Sequence, residues 1–343
     1  MKKLISFILC LTLCLALVVP GLSDEVPQKN SFTMYSCYVE AEVAGLVELF
    51  TQETDIEVKY VRLSAGEMQA RVAAEKDNPQ VAMIFGMGND LSMAMAAEDL
   101  LDPYVPANID QMDQRFVDPD GMYVPLQIIV TCFGSNAEWL AEKGLEAPTS
   151  WDDLLKPEYQ GEVCVAHPAT SGAAYTVLSQ TVQRLGTEEG FAYLKELNKN
   201  VQVYTKAGAA PFTSAGLGEV GVAIGYSDNA QTVVDQGYPL VVSSPKEGAG
   251  YGVTAAAMVK GGPADEQEAA HKFIDWLIGE SAMTLAYSEF NQYPLNTTVH
   301  PDPKMIPIED IELMNFDPVL SAETKKDNIA RFENEVRSSA DVK

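Results

Sequence analysis

Apolar and polar positions along the chain fall into short apolar runs separated by stretches of helical period. Phe32-Thr33-Met34-Tyr35-Ser36 reads as a strand running into a loop at Cys37 and Tyr38. Val43, Leu46, Val47 and Phe50 recur at i, i+3, i+4 and i+7, which places them on one helix face, and Glu40 and Glu42 stand in the first turn where the dipole favours acids. Ile56 to Val61 alternates as a half-buried strand does, so the three segments predict a β-α-β unit. Ala65 to Lys76 reads as a helix. Val81 to Phe85 reads as a buried strand that gives way to a loop over Gly86-Met87-Gly88-Asn89-Asp90, with a helix from Leu91 to Ala97.

Pro103 to Gly121 is irregular, and Tyr123 to Phe133 is an apolar-rich run too long for one short strand, as a strand crossing between two domains would be. A first hinge is expected there. Beyond it the pattern predicts a helix over Ala137 to Lys143, an element over Trp151 to Leu155 after Ser150, a strand over Val163-Cys164-Val165 and a helix from Glu188 to Leu197. Strands follow at Val201 to Tyr204, Val220 to Ile224 and Leu240 to Val242. Glu247 to Gly252 reads as a flexible loop, and Val253 to Lys260 as a strand returning the chain to the first domain. Ala270, Phe273, Ile274, Leu277 and Ile278 make an amphipathic helix, Phe290 to Asn296 a turn, and the remainder is helical and charged. The expected division is residues 31–128 with about 255–305 as one domain, and 129–254 with about 306–343 as the other.

Between the strand at Val163 and the next apolar period lies Ala166-His167-Pro168-Ala169-Thr170-Ser171-Gly172-Ala173-Ala174-Tyr175. Thr170 and Ser171 suit a helix N-cap, and Gly172 removes the side chain that would keep a ligand from the backbone N–H groups. A helix start carries about half a positive charge and several unpaired donors, so phosphate, phosphonate or carboxylate suit it. A plain N-cap between strand and helix explains the same residues. Three other strand ends offer accessible backbone: Gly86 to Asp90, Lys206 to Ala210 and Gly225 to Asp228. Asp228 is the only acid of the last loop, suited to a ligand amine or to capping the helix that follows.

Composition changes this picture in three places. With 343 residues, 47% hydrophobic and 21% charged, the chain has interior for two domains of ordinary size. Lys2 and Lys3 precede an apolar run from Leu4 to Val19, then Pro20, Gly21 and Ser23, which reads as a secretory signal peptide cleaved near Ser23 and implies a mature protein that works outside the cytoplasm. Cys10 and Cys14 fall inside that leader without the small preceding residue of a lipoprotein signal. Cys37, Cys132 and Cys164 remain, odd in number and without CxxC spacing, so buried free thiols are expected. The formal net charge of -26 makes nucleic acid a poor partner, yet it does not decide the field inside one pocket.

Enzyme signatures fail. GxSxG breaks because Gly225-Tyr226-Ser227-Asp228 continues with Asn229; HExxH fails because Pro168 follows His167 and Lys272 follows His271; no Walker A loop is present. No cofactor and no metal are implied. A dinucleotide fingerprint at Gly86 would need a third glycine where Leu91 stands.

Phe50-Thr51-Gln52-Glu53-Thr54-Asp55-Ile56, Pro168-Ala169-Thr170-Ser171-Gly172, Gly218-Glu219-Val220-Gly221-Val222-Ala223-Ile224 and Asn291-Gln292-Tyr293-Pro294 together resemble the periplasmic solute-binding proteins of ABC importers. The likeness runs from about Phe32 to His300 and is greatest to the cluster of ferric-iron, aminoethylphosphonate and sugar-phosphate binders. It implies an α/β fold of the two-domain periplasmic-binding-protein class, type II, with two crossover strands and ligand in the interdomain cleft, closing by a hinge. The iron binders have adjacent tyrosines where this chain has Tyr226-Ser227-Asp228, and their early carboxylate falls near Gly86, so their metal ligands do not carry over.

The resemblance therefore implies a phosphoryl or phosphonate ligand held by Thr170, Ser171, Gly172 and Ala173. Ser36, Cys37, Gly86, Gly88, Asn89, Gly208, Ala209 and Tyr226 are further contacts, with Asp228 toward an amine or hydroxyl. The implied partners are a small anionic solute and an inner-membrane permease, for a monomer. The alternatives are a metal binder using Tyr35, Tyr38, Tyr226 or Asp228, and a secreted hydrolase.

Overall fold

The computed structural model describes residues 27–337, so the expected signal peptide lies outside the described residues. The first lobe opens with β1 Ser31–Ser36, α1 Glu40–Thr54, β2 Glu57–Arg62, α2 Ala65–Ala74, β3 Met83–Gly88, α3 Asn89–Ala97 and the two-residue β4 Leu101–Asp102. β1 pairs in parallel with β2 and with β3, so the predicted β-α-β unit is present. β3 extends further than its apolar run. Gly86 carries φ +82° and stands as the extra residue where the register against the neighbouring strand shifts, so the strand bends at a bulge and continues to Gly88 rather than ending at Phe85. The expected loop over Gly86 to Asp90 is thus strand end and helix start.

β5 Val124–Asn136 is the 13-residue strand that both lobes share. From it the second lobe takes α4 Ala137–Lys143, β6 Val163–Ala166, α5 Gly172–Leu185, α6 Thr187–Asn198, β7 Val201–Thr205, α7 Ala210–Gly216, β8 Val222–Tyr226, α8 Ser227–Asp235 and β9 Leu240–Ser243. The chain returns through β10 Tyr251–Val259, α9 Gln267–Leu277, α10 Glu280–Phe290 and β11 Tyr293–Pro294, and closes with α11 Pro318–Arg331 and a π-helical turn, Phe332–Arg337. Val124 to Val130 of β5 pair with β10, whereas Thr131 to Asn136 pair with β8 and β9. The strand order is β2-β1-β3-β10-β5-β8-β6-β7, with β5 as the seam. The expected flexible loop at Glu247 to Gly252 is shorter and firmer than its glycines suggest. Ala249 and Gly250 are buried, Thr131 N–H donates to the Gly250 carbonyl at 2.8 Å, and Tyr251 and Gly252 already belong to β10.

Two main cores sit on the two sides of that seam. In the first lobe Phe273 of α9 packs against Phe32, Phe50 and Phe85, with ring centroids 4.8 to 5.7 Å apart. Each such buried ring contributes about 1.5–3 kcal/mol through the water it leaves. In the second lobe Phe133, Trp151, Phe191 and Leu178 are buried together with Phe332 and Val336 of the C-terminal turn. The tail is held there by Arg331, whose guanidinium donates to both Glu188 oxygens at 2.8 Å, and by Asn198 Nδ2 donating to the Val336 carbonyl. Cys37, Cys132 and Cys164 are free thiols, the last two buried.

Candidate functional site

Three apolar strands, β3, β6 and β8, each deliver the chain into a helix: α3 begins at Asn89, α5 at Gly172 and α8 at Ser227. Their N-termini carry unpaired N–H donors because no earlier turn exists to accept from them. A cavity of about 320 Å³ lies where these ends meet β5 and β10. Its walls are Gly88, Asn89 and Asp90 from the first lobe, Gly172, Tyr175, Thr176 and Tyr226 from the second, and Ile129, Tyr251, Gly252, Val253 and Thr254 from the crossing strands. α11 and the residues before it form a roof of Phe316, Pro318, Ser321, Ala322 and Lys325. A second cavity of about 640 Å³ adjoins it, sharing Asn89, Tyr251, Phe316 and Pro318 and adding Arg115.

The stretch opening α5 folds as its residue types require. Ser171 is the N-cap and its Oγ accepts from Ala174 N–H at 3.3 Å. Thr170 Oγ1 donates to the Lys206 carbonyl at 2.8 Å, tying the loop after β6 to the loop after β7. Both hydroxyls therefore have backbone partners. Gly172 stands in the cavity wall, and a Cβ added to it would meet nothing within 4 Å, so the space its missing side chain leaves belongs to the cavity. Ala173 is buried behind it.

Of the other expected residues, Gly88, Asn89 and Tyr226 line the same cavity. Ser36, Cys37 and Gly86 lie outside its lining. Ser36 is fully buried and its Oγ accepts from Tyr38 N–H, Cys37 N–H donates to the Phe85 carbonyl, and a Cβ on Gly86 would come within 2.7 Å of the Tyr38 ring. Gly208 packs against Ser171, where a Cβ would sit 2.9 Å from Oγ, and Ala209 is exposed. Asp228, half-buried in the first turn of α8, accepts from Asn229 N–H at 2.7 Å.

Two acids, Asp228 on α8 of the second lobe and Glu42 on α1 of the first, act on each other electrostatically across the lobes. Burial pushes the Asp228 carboxyl up to about 6, against the bonds Asn229 donates to it. Burial, joined by the charge of Asp228, pushes Glu42 on α1 up to about 7. The Asn291-Gln292 turn touches both: Gln292 Nε2 donates to Glu42 Oε1 at 3.3 Å and Asn291 Nδ2 to the Asp228 carbonyl at 3.4 Å. Burial raises the Tyr226 hydroxyl far above the ordinary phenol range, and Thr176 Oγ1 lies 2.6 Å from it. Tyr35 and Tyr38, the other candidate oxygen ligands, are spent within the first lobe. The Tyr35 hydroxyl donates to Glu75 at 2.9 Å and that of Tyr38 to Gln127 at 2.7 Å. Among the described residues no three His, Cys, Asp or Glu side chains form a group able to hold a metal.

Thr176, Tyr251, Thr254 and the whole α11 roof were not foreseen from sequence. Pro318, Ser321, Ala322 and Lys325 fall at i, i+3, i+4 and i+7 and so share one helix face, but that face mixes small, polar and charged residues and carries no large apolar side chain. Apolar period announces a core, and a helix that faces a ligand cavity has no such period to show.

Residues 78–311 match the family described as bacterial extracellular solute-binding protein. An uncharacterized protein of Haemophilus influenzae is 32% identical over 316 residues, covering 90% of this chain and 91% of its own. The spermidine/putrescine-binding periplasmic protein of Escherichia coli is 26% identical over 277 residues, 75% of this chain and 76% of its own. A putative 2-aminoethylphosphonate-binding periplasmic protein of Salmonella typhimurium is 28% identical over 244 residues, 69% of each chain. Among solved structures, the periplasmic binding protein AfuA of Actinobacillus pleuropneumoniae, with exogenous fructose-6-phosphate bound, superposes with a TM-score of 0.76 at 28% identity over 90% of this chain and 99% of that one.

Proposed function

The chain belongs to the bacterial extracellular solute-binding proteins, the substrate-binding components of ABC importers, and from that premise we propose that its cargo is a small phosphorylated or phosphonate compound. The fold is the two-lobed type II form of these proteins, which bind solutes rather than transform them and deliver them to an inner-membrane permease; the relatives are periplasmic. The observation that carries the finer reading is Gly172. It opens a 14-residue helix, faces the cavity without a side chain, and leaves the first N–H donors of that helix to whatever occupies the space. Asn89 and Thr176 add polar side chains beside it. Solved AfuA carries a sugar phosphate, and the Salmonella relative bears the name of a phosphonate binder.

Capture follows from the topology. Gly88, Asn89 and Asp90 belong to one lobe and Gly172, Thr176 and Tyr226 to the other, so a ligand touching both is bound more tightly when the lobes approach about β5 and β10. Residues 1–23 are proposed as the export signal.

A second reading has its own observation. Asp90 in the cavity wall, with Asp228 and Glu42 nearby, favours an ammonium group, and the Escherichia coli relative is named for spermidine and putrescine. A thermal-shift screen with fructose 6-phosphate, 2-aminoethylphosphonate, inorganic phosphate, spermidine and putrescine separates the two. Stabilisation by phosphorus compounds supports the first reading, and stabilisation by the polyamines alone replaces it with the second.

A further inference from the structure

We propose that Lys325, on the C-terminal helix α11, is the cationic half of the anion subsite, so that the ligand's phosphoryl or phosphonate group is gripped by three walls rather than two. This rests on the anionic cargo proposed above and goes beyond it, since neither lobe's strand ends supply a positive side chain to the cavity. Lys325 and Gly172 line the same space. Lys325 is also the one ammonium or guanidinium group in that lining, where the formal charge of the chain is -26.

The helix that carries it is fixed to both lobes. α11 packs against α3 of the first lobe and α5 of the second, and the turn after it is tied down by Arg331 to Glu188. Its stripe at Pro318, Ser321, Ala322 and Lys325 lines the cavity, and the Tyr175 hydroxyl donates to the Ser321 carbonyl at 2.5 Å, holding that stripe against α5. Lys325 Nζ lies 5.1 Å from the centre of the Tyr175 ring, so the aromatic face steadies the ammonium beside the helix start without neutralising it. A carboxylate partner would cancel its charge, and none of the ion pairs among the described residues includes it. An ammonium and a set of helix N–H donors around one cavity suit a dianionic tetrahedral group better than a carboxylate, because more acceptor oxygens are available to meet them.

The test is calorimetric titration of the full chain with fructose 6-phosphate, 2-aminoethylphosphonate and inorganic phosphate, on wild type, Lys325→Met, Lys325→Arg and Lys326→Met. Lys325 is exposed, so the variants are expected to fold, and melting curves check this. For any probe wild type binds, Lys325→Met is expected to weaken binding about tenfold or more, the scale of a charge-assisted bond. Lys325→Arg restores most of the loss. Lys326→Met, one position along and outside the lining, changes affinity less than about twofold, as a remote screened charge does. Wild-type affinity in Lys325→Met, or an equal loss in Lys326→Met, overturns the assignment while leaving the anionic cargo standing. Failure of wild type to bind any of the three overturns the anionic cargo itself and the subsite with it.

Discussion

The hydroxyls of Tyr226 and Thr176 lie 2.6 Å apart, joining the end of β8 to the second turn of α5 on one wall of the cleft. Tyr226 stands where the iron binders this chain resembles have a tyrosine pair, and it is followed here by Ser227 instead of a second tyrosine. Its hydroxyl is bonded to a neutral partner, and burial raises it far from ionisation. Fe(III) prefers a set of anionic oxygens, and among the described residues no three His, Cys, Asp or Glu side chains gather to supply one beside it.

Adding Fe(III) to the protein is therefore expected to give no visible phenolate charge-transfer band. Tyr226→Phe removes the bond to Thr176 and is expected to lower stability by about 0.5–1.5 kcal/mol in urea denaturation, the net scale of one hydrogen bond. A visible band lost in Tyr226→Phe would instead establish metal binding.

Stability should fall as pH rises from about 4 to about 7. Glu42 and Asp228 have folded-state values raised to about 7 and about 6, from ordinary values of 4.5 and 3.8. Between the unfolded and folded values the native state binds more protons than the unfolded chain, so raising pH favours unfolding. Both carboxyls are half-buried, which moderates the size of the effect. Melting temperature measured across this window should decline in wild type, and the decline should flatten in Glu42→Gln and in Asp228→Asn.

Gly86→Ala should destabilise the fold by about 2–4 kcal/mol, from the cost of a non-glycine residue at positive φ and from overpacking. The added Cβ would come within 2.7 Å of the Tyr38 ring, and that ring is fixed because its hydroxyl donates to Gln127 Oε1 at 2.7 Å and lies 2.9 Å from Thr254 Oγ1. A lower urea midpoint at unchanged slope, with ligand affinity of the folded protein retained, is the expected result.

How much of this was legible in the sequence follows the same physics. The β-α-β start, the long strand that became β5 and the amphipathic face of α9 announced themselves because each buries a regular apolar pattern. Gly86 misled because a glycine after an apolar run signals a turn and a bulge alike, and only the register against β10 separates them. Gly172 was readable as a helix start open to a ligand, but not whether the neighbouring hydroxyls of Thr170 and Ser171 would face the cavity or the backbone. The roof of α11 was invisible, since Pro318, Ser321, Ala322 and Lys325 are brought to the cleft by contacts with α3 and α5, far away in sequence.

Asp90 stands in the cavity wall with no positive side chain but Lys325 in the same lining. Asp90→Asn is expected to strengthen binding of inorganic phosphate several-fold by removing like-charge repulsion, and to weaken binding of an amine-bearing ligand by a similar factor. Competition titrations with inorganic phosphate and 2-aminoethylphosphonate check both directions.

The start of α5 is proposed to hold the anionic group of the cargo, and Gly172→Ala tests this most directly. A Cβ there meets no protein atom within 4 Å, so stability should be unchanged or up to about 1 kcal/mol higher. The same methyl group would stand between the helix N–H donors and the ligand. Calorimetric titration of wild type and Gly172→Ala with fructose 6-phosphate and 2-aminoethylphosphonate should show saturable binding of at least one, weakened about tenfold or more in the variant. Equal affinity in the two proteins, or binding of spermidine alone, would contradict the account.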